Sequence, residues 1–202
     1  ADGSDYPWDK CFVYRCLENQ KAKRGTSDLV WRKDGTSFPM SYSVGPILER
    51  GVLMGAVVIF RDMTKEHAAS HKLDYQARHD ALTGLINRRE FDERLERVLD
   101  NSPEDQDKHI LCYLDLDQFK VINDMCGHLA GDELLRQLSN VLQSHVRKRD
   151  TLARLGGDEF GLLMGHCDLC EGKRVASSMR DAVANFRFSW QGNTHMVGVS
   201  IG

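Results

Sequence analysis

The stretch Arg154-Leu155-Gly156-Gly157-Asp158-Glu159-Phe160, continued by the apolar run Gly161-Leu162-Leu163-Met164, reads as a tight β-hairpin. Two glycines and two acids lie between apolar segments, the composition of a turn that needs positive φ and close backbone approach. Such a turn presents two carboxylates at a fixed point. Alone it is ordinary punctuation, because glycines and acids in hairpin turns are usually solvated. A second acidic strand end upstream, Ile110-Leu111-Cys112-Tyr113-Leu114-Asp115-Leu116-Asp117, leads into Gln118-Phe119-Lys120 and changes the reading. A buried strand ending in carboxylates, beside a hairpin tip carrying carboxylates, is a way to build a divalent-cation site for phosphate chemistry.

Outward from the hairpin, the spacing of apolar residues predicts an amphipathic helix over roughly Arg88 to Leu99, with Phe91, Leu95, Val98 and Leu99 on one face, ended by Asn101-Ser102-Pro103-Glu104-Asp105. The strand Ile110 to Leu116 follows, then a short helix from Phe119. A longer helix comes next, whose Leu134, Leu138, Val141 and Leu142 make a core stripe. Beyond the hairpin come a helix over about Gly172 to Phe186 and strands near Phe186 to Trp190 and Thr194 to Ile201. Strands alternating with helices, plus one hairpin, indicate an α/β sandwich with a mixed sheet.

The amino-terminal part reads differently. Residues from Trp8 to about Thr64 look like strands and turns. Leu29 to Met40 gives two strands around Asp34-Gly35, and Ser41 to Leu48 and Gly51 to Arg61 give two more around Glu49-Arg50-Gly51, an antiparallel meander. Thr64 to Asp80 is polar, without Gly or Pro, and reads as a helical linker.

The 202 residues suit one to two domains. A formal charge of −3 without a long basic run argues against nucleic acid as the main partner. No apolar stretch approaches the ~20 residues that span a bilayer, and Ala1-Asp2-Gly3-Ser4-Asp5 lacks the basic and apolar regions of a signal peptide. A cytoplasmic location is expected, compatible with a membrane anchor in a longer parent protein. Of the six cysteines only Cys167-Asp168-Leu169-Cys170 has metal or redox spacing, and without a second such pair it reads as two free thiols near a helix start.

From about Asp80 onward the chain resembles the GGDEF domain of bacterial diguanylate cyclases. The signature stands intact as Gly156, Gly157, Asp158, Glu159 and Phe160. Three further blocks match: Asp80-Ala81-Leu82-Thr83-Gly84-Leu85-Ile86-Asn87-Arg88-Arg89, then Asp115 through Asp124, then Gly127-His128 with Gly131-Asp132. Trp31 to Gly35, Pro46-Ile47 and Gly55 to Thr64 resemble the carboxyl-terminal part of a PAS sensory domain. The resemblance implies an α/β fold, a nucleotidyl-cyclase-like (palm-type) mixed sheet with flanking helices, preceded by part of an antiparallel PAS sheet. Its layout is a partial PAS domain over 1–64, a helical linker over 65–79 and a GGDEF domain over 80–202. That domain lacks a carboxyl-terminal helix which in the family brings Lys and Arg to the GTP phosphates.

By the same resemblance the activity is condensation of two GTP into cyclic di-GMP and two pyrophosphates, in a homodimer whose sites each supply one GTP. The rival is a GTP-binding regulatory domain controlling an attached EAL phosphodiesterase. Asp115, the Leu116 carbonyl and Asp158 match the ligands of Mg²⁺ (or Mn²⁺). Asp158 matches the group that helps deprotonate the 3′-hydroxyl, with Glu159 a second acid. Asn123 and Asp132, with His128 nearby, match the guanine-reading residues, although helix capping is the ordinary role for Asn and Asp there. Lys120 adds charge at the phosphates or is a plain surface lysine. Asp117 is expected to cap the helix after it. Arg147 and Asp150 match the RxxD site at which the family binds its own product, the alternative being a cation that complements a helix end.

Overall fold

The computed structural model describes residues 10–101 and 108–202. The chain forms two compact units that divide between Asp74 and Tyr75.

The first unit is a sheet in the order β1 (Lys23–Trp31), β2 (Ser37–Glu49), β3 (Val52–Asp62), antiparallel throughout. It also contains a helix, α1 (Phe12–Asn19), where the sequence suggested only strands and turns. Eight residues are too few for a clear helical period, yet Phe12, Val13 and Cys16 fall on one side of a helix and close the sheet's small core of Met40, Tyr42 and Val44. Phe12 stacks on Tyr42 with ring centroids 4.0 Å apart.

The expected four strands are three, because β2 runs unbroken from Ser37 to Glu49. Pro46 lies beyond the last partner of β1, Lys23 opposite Val44, where β2 has a neighbour on one side only and a missing N–H is tolerated. The Asp34-Gly35 turn is present, with Asp34 Oδ1 accepting from Thr36 N at 2.9 Å. Asp62 Oδ1 accepts from Thr64 N at 2.9 Å and so opens α2 (Thr64–Arg78), the helix expected over 64–80, which buries none of its residues. Trp8 and residues 102–105 lie outside the described residues.

The second unit holds β4 (Ile86–Asn87), α3 (Arg88–Asn101), β5 (Ile110–Asp117), α4 (Phe119–Cys126) and α5 (His128–Ser144). After these come β6 (Thr151–Gly156), β7 (Glu159–Met164), α6 (Leu169–Asn185), β8 (Phe188–Trp190), β9 (Asn193–His195) and β10 (Gly198–Ile201). Its main sheet runs β10-β5-β7-β6-β4, parallel only between β4 and β6, so the expected mixed sheet is present. β5 alternates strictly: Cys112, Leu114 and Leu116 are buried, while Tyr113, Asp115 and Asp117 are exposed on the opposite face. The buried set joins Leu134, Leu138 and Leu142 of α5 and Met179 and Val183 of α6. On the other face Phe91 of α3 packs on Ala153, Leu155 and Leu163.

Three sequence expectations shift. Leu99 is 61% exposed, because it sits roughly 80° around the helix from Phe91, outside the stripe of Phe91, Leu95 and Val98. Helix α6 begins at Leu169, since Asp168 Oδ1 accepts from Glu171 N at 2.8 Å and caps it. The strand expected over Thr194 to Ile201 is two: β9 pairs back on β8 around Gln191-Gly192, and only β10 joins the main sheet.

Candidate active site

The two acidic motifs meet at one end of the main sheet. Asp115 stands opposite Glu159 across β5 and β7, and opposite Ser200 across β5 and β10. Directly opposed residues share a face, so two exposed carboxylates confront each other, an arrangement that costs stability unless a cation intervenes. Leu116 N donates to Asp158 O at 3.3 Å, tying the hairpin tip to the end of β5. A cleft of about 510 Å³ lies on this face, lined by Arg88, Tyr113, Asp115, Leu155, Glu159 and Ser200 among others.

The hairpin tip is held by a residue to which sequence reading gave no role. Arg154 donates to Gly157 O through Nε and Nη2 at 2.9 and 2.8 Å, and through Nη1 to the Asp80 carboxylate at 3.2 and 3.3 Å. Gly157 takes φ +53, which a glycine adopts without strain. Asp80 Oδ1 also accepts from Thr83 N and Oγ1 at 2.9 and 2.7 Å. Burial alone would raise the Asp80 pKa, but the Thr83 hydrogen bonds and the Arg154 guanidinium outweigh it and hold the carboxyl below its ordinary range. The block from Asp80 to Arg89 is therefore largely a clasp around the hairpin, with Arg88 projecting to the cleft.

A family model described as diguanylate cyclase, GGDEF domain, matches residues 77–202. The chain belongs to the GGDEF family. Probable diguanylate cyclase DgcE of Escherichia coli (strain K12) is 40% identical to it over 171 residues, 84% of this chain and 16% of that protein. Cyclic di-GMP phosphodiesterase PdeB of Shewanella oneidensis is 39% identical over 153 residues, 74% of this chain and 17% of that protein. The chain thus spans about a sixth of the length of these curated relatives. Among solved structures, the coiled coil and GGDEF domain of DgcB from Caulobacter crescentus, in complex with c-di-GMP, superposes with a TM-score of 0.64 at 26% identity, covering 68% of this chain and 74% of that one.

In this GGDEF domain the remaining motif residues form two further groups. Asn123 on α4 lies against Gly131 on α5, where a Cβ would overlap Asn123 Oδ1, and Asp132 follows directly. His128 opens α5 and Lys120 lies in the first turn of α4, both exposed. None of these four lines the described cleft. Arg147 and Asp150 share a turn, Asp150 N donating to Arg147 O at 3.0 Å, but their side chains part. Arg147 pairs with Glu171 of α6, which raises the arginine's pKa further, while Asp150, 6% exposed, faces Arg149 at 4.0 Å.

Asp117 does not cap α4. It extends β5 opposite Gly198, and its Oδ1 accepts from Ser200 Oγ at 2.8 Å, while Gln118 occupies the N-cap position with φ +60 and no side-chain cap bond. Arg88 was legible from its motif block; Ser200 was not, because its place depends on a strand pairing 83 residues distant.

Among the described residues no three His, Cys, Asp or Glu side chains converge as a preformed metal cage. The donors at the sheet end are two opposed carboxylates, the hairpin acid and main-chain carbonyls, a set suited to Mg²⁺, which keeps waters and takes substrate phosphate oxygens. Cys167 is buried, which pushes its thiol pKa up, and Cys170 is exposed; all six cysteines are free thiols. No helix among the described residues is long and apolar enough to cross a membrane.

Proposed function

We propose that this chain is the catalytic part of a diguanylate cyclase, joining two GTP into cyclic di-GMP. The carrying observation is the register that sets Asp115 against Glu159 while Asp158 is bonded through its carbonyl to Leu116. Opposed acids at a strand end, beside an open cleft, suit a reaction whose transition state spreads negative charge over phosphate oxygens.

Asp115, the Leu116 carbonyl and Asp158 would hold Mg²⁺ or Mn²⁺, which would supply positive charge to offset the negative charge developing on the α-phosphate and leaving group. Asp158 accepts the proton of the 3′-hydroxyl, whose oxygen bonds to the α-phosphorus of the other nucleotide as the bond to the β-phosphate breaks and pyrophosphate departs. Glu159 supports that proton transfer. Asn123 and Asp132 pair with the guanine edge, with His128 beside them, and Lys120 faces the phosphates. A carboxylate at Asp132 favours guanine, since adenine leaves it unpaired at a cost of orders of magnitude in selectivity.

Each site carries one GTP, so the working unit is a homodimer. The amino-terminal sheet acts as a PAS-type sensory unit, with α2 as the link to the cyclase. Arg147 and Asp150 take the product and limit synthesis. The protein works in the cytoplasm.

A second reading, a GTP-binding regulator of an attached EAL phosphodiesterase, is favoured by the 39% identity to PdeB, which is named as a phosphodiesterase. The deciding experiment is GTP turnover with Mg²⁺ by the protein and its Asp158→Ala variant, reading cyclic di-GMP. Product from the unsubstituted protein alone supports the cyclase. No product from a folded, GTP-binding, dimeric protein sinks it and leaves the regulatory reading.

A further inference from the structure

The end of the main sheet that carries the acids holds one carboxylate to which the proposed reaction gives no task. Asp117 is exposed on the same face of β5 as Asp115, two residues further along. Its side chain lies across the neighbouring strand β10: Oδ1 accepts from Ser200 Oγ at 2.8 Å, and Oδ2 lies over Gly198, where a Cβ would come within 2.5 Å of it. The carboxylate keeps this pose because residue 198 has no side chain. The same register that sets Gly198 opposite Asp117 sets Ser200 opposite Asp115.

Ser200 lines the cleft together with Asp115 and Glu159, and among the described residues no group donates to its oxygen. A hydroxyl has one proton and two acceptor lone pairs. Here the proton is committed to Asp117, so Ser200 offers the cleft an acceptor, and donation to an anion strengthens that acceptor. Without Asp117, the carboxylate directly across the strand pair is Asp115, and a hydroxyl turned to it would occupy a lone pair that a cation needs. A neutral hydroxyl beside carboxylates is a poor direct ligand for Mg²⁺, which dehydrates reluctantly and keeps several waters. Those waters are hydrogen-bond donors in need of acceptors.

We propose that Ser200 accepts a hydrogen bond from a water on the cation held at Asp115, and that Asp117 is the positioning residue that keeps the Ser200 proton away from that cation. The pair deepens the proposed cyclase site and rests on its acids holding a cation. Neither residue touches the ion. Asp117 acts on it twice, through its charge and through the Ser200 hydroxyl, and only the second action depends on Ser200.

The test is binding of Mn²⁺ alone to the whole protein without nucleotide, read from loss of the free-ion electron paramagnetic resonance signal, with a melting curve for each variant. Ser200→Ala should weaken Mn²⁺ about fivefold, the scale of one hydrogen bond, and Ser200→Thr, which restores the hydroxyl, should recover it. Asp117→Asn removes the charge and keeps an acceptor for Ser200, whereas Asp117→Ala removes both. The alanine variant should bind about fivefold more weakly than the asparagine one, and that gap should close when each is combined with Ser200→Ala. Gly198→Ala pushes only the end of a side chain, so the protein should fold and bind Mn²⁺ as weakly as Ser200→Ala does. If the folded protein does not bind Mn²⁺, or Asp115→Asn leaves the binding unchanged, the acids hold no cation and the proposal falls with that reading. If Asp115→Asn weakens Mn²⁺ but Ser200→Ala does not, or if the gap between the two Asp117 variants persists without the Ser200 hydroxyl, the proposal alone is overturned.

Discussion

Strands β5 and β7 carry opposite chemistry at their two ends. Where β5 finishes and β7 starts, Asp115 faces Glu159 and Asp158 stands at the turn. Where β5 starts and β7 finishes, Ile110 faces Met164, and the flanking His109 and His166 join the arginines of α3. Between the ends, Leu114 opposite Phe160 and Cys112 opposite Leu162 are buried and carry no chemistry. The same pair of strands thus carries carboxylates at one end and histidines and arginines at the other, while its centre supplies the packing that fixes both. The acid end is narrow in sequence, with its groups in two short motifs. The basic end is assembled from α2, α3 and the strand ends, so nothing local announces it.

The sharpest way to break the comparison is at the acid end. Asp158→Ala should lower cyclic di-GMP formation by about 10³-fold, the scale of losing one preorganised charge at a phosphoryl transition state. Thermal stability should hardly change, because the side chain sits in a half-buried turn whose fold depends on its backbone carbonyl and on Arg154. Steady-state turnover beside a melting curve checks both. Equal turnover in the two proteins would mean that the Asp158 carboxylate takes no part in the reaction.

Next in size is the clasp that holds the acid end. Asp80→Asn removes the charge partner of Arg154, whose side chain is 13% exposed against 23% for Asp80, so a loss of about 2–3 kcal/mol is expected, discounted from the fully buried case. The sign with pH follows from the depressed pKa. The ionised form is the one the fold prefers, so the contribution is complete above the unfolded value near 3.8 and is lost as pH falls through the lower folded value. Denaturant titrations at neutral and strongly acidic pH should show the gap between the two proteins closing in acid. A gap that persists there would assign the effect to Asn geometry.

The packed centre gives a smaller effect. A Cβ at position 161 would lie 2.7 Å from the Phe91 ring, which has no exposed surface into which to retreat. Gly161→Ala should therefore cost about 1–3 kcal/mol by overpacking, while turnover per folded molecule is kept. A matching drop in turnover would instead place the α3 face in the catalytic machinery.

What could be read from the chain in advance follows the same division. The hairpin, the β5 acids and the Leu134, Leu138 and Leu142 stripe of α5 are local patterns, and the structure has them where the spacing put them, whereas Val141, expected in the same stripe, is half-buried and outside the core. Asp80 and Arg154 are 74 residues apart, and no period links them, so the clasp emerges only from the fold. Asp117 misled because an acid before a helix is a common cap; here the strand continues through it, and Gln118 turns the chain. Helix α1 was hidden by its shortness, and β9 by a turn that splits an apparently continuous strand.

The smallest effect tests the turn that carries Arg147 and Asp150. Arg147 is paired with Glu171, which also lies 3.8 Å from Arg174, so an anionic product reaching Arg147 must displace an internal carboxylate. If Arg147 and Asp150 form the product site, Glu171→Gln removes the competitor, and half-inhibition by cyclic di-GMP should come at about threefold lower concentration, the scale of an exposed ion pair. The cap of α6 is kept, because Asp168 accepts from the main-chain N–H of residue 171, which Gln retains. Initial rates before product accumulates should be equal in the two proteins, which separates release of Arg147 from any disturbance of the sheet's acid end. Unchanged or weaker inhibition would show that Arg147 does not receive the product and that its pairing with Glu171 only joins the turn to α6.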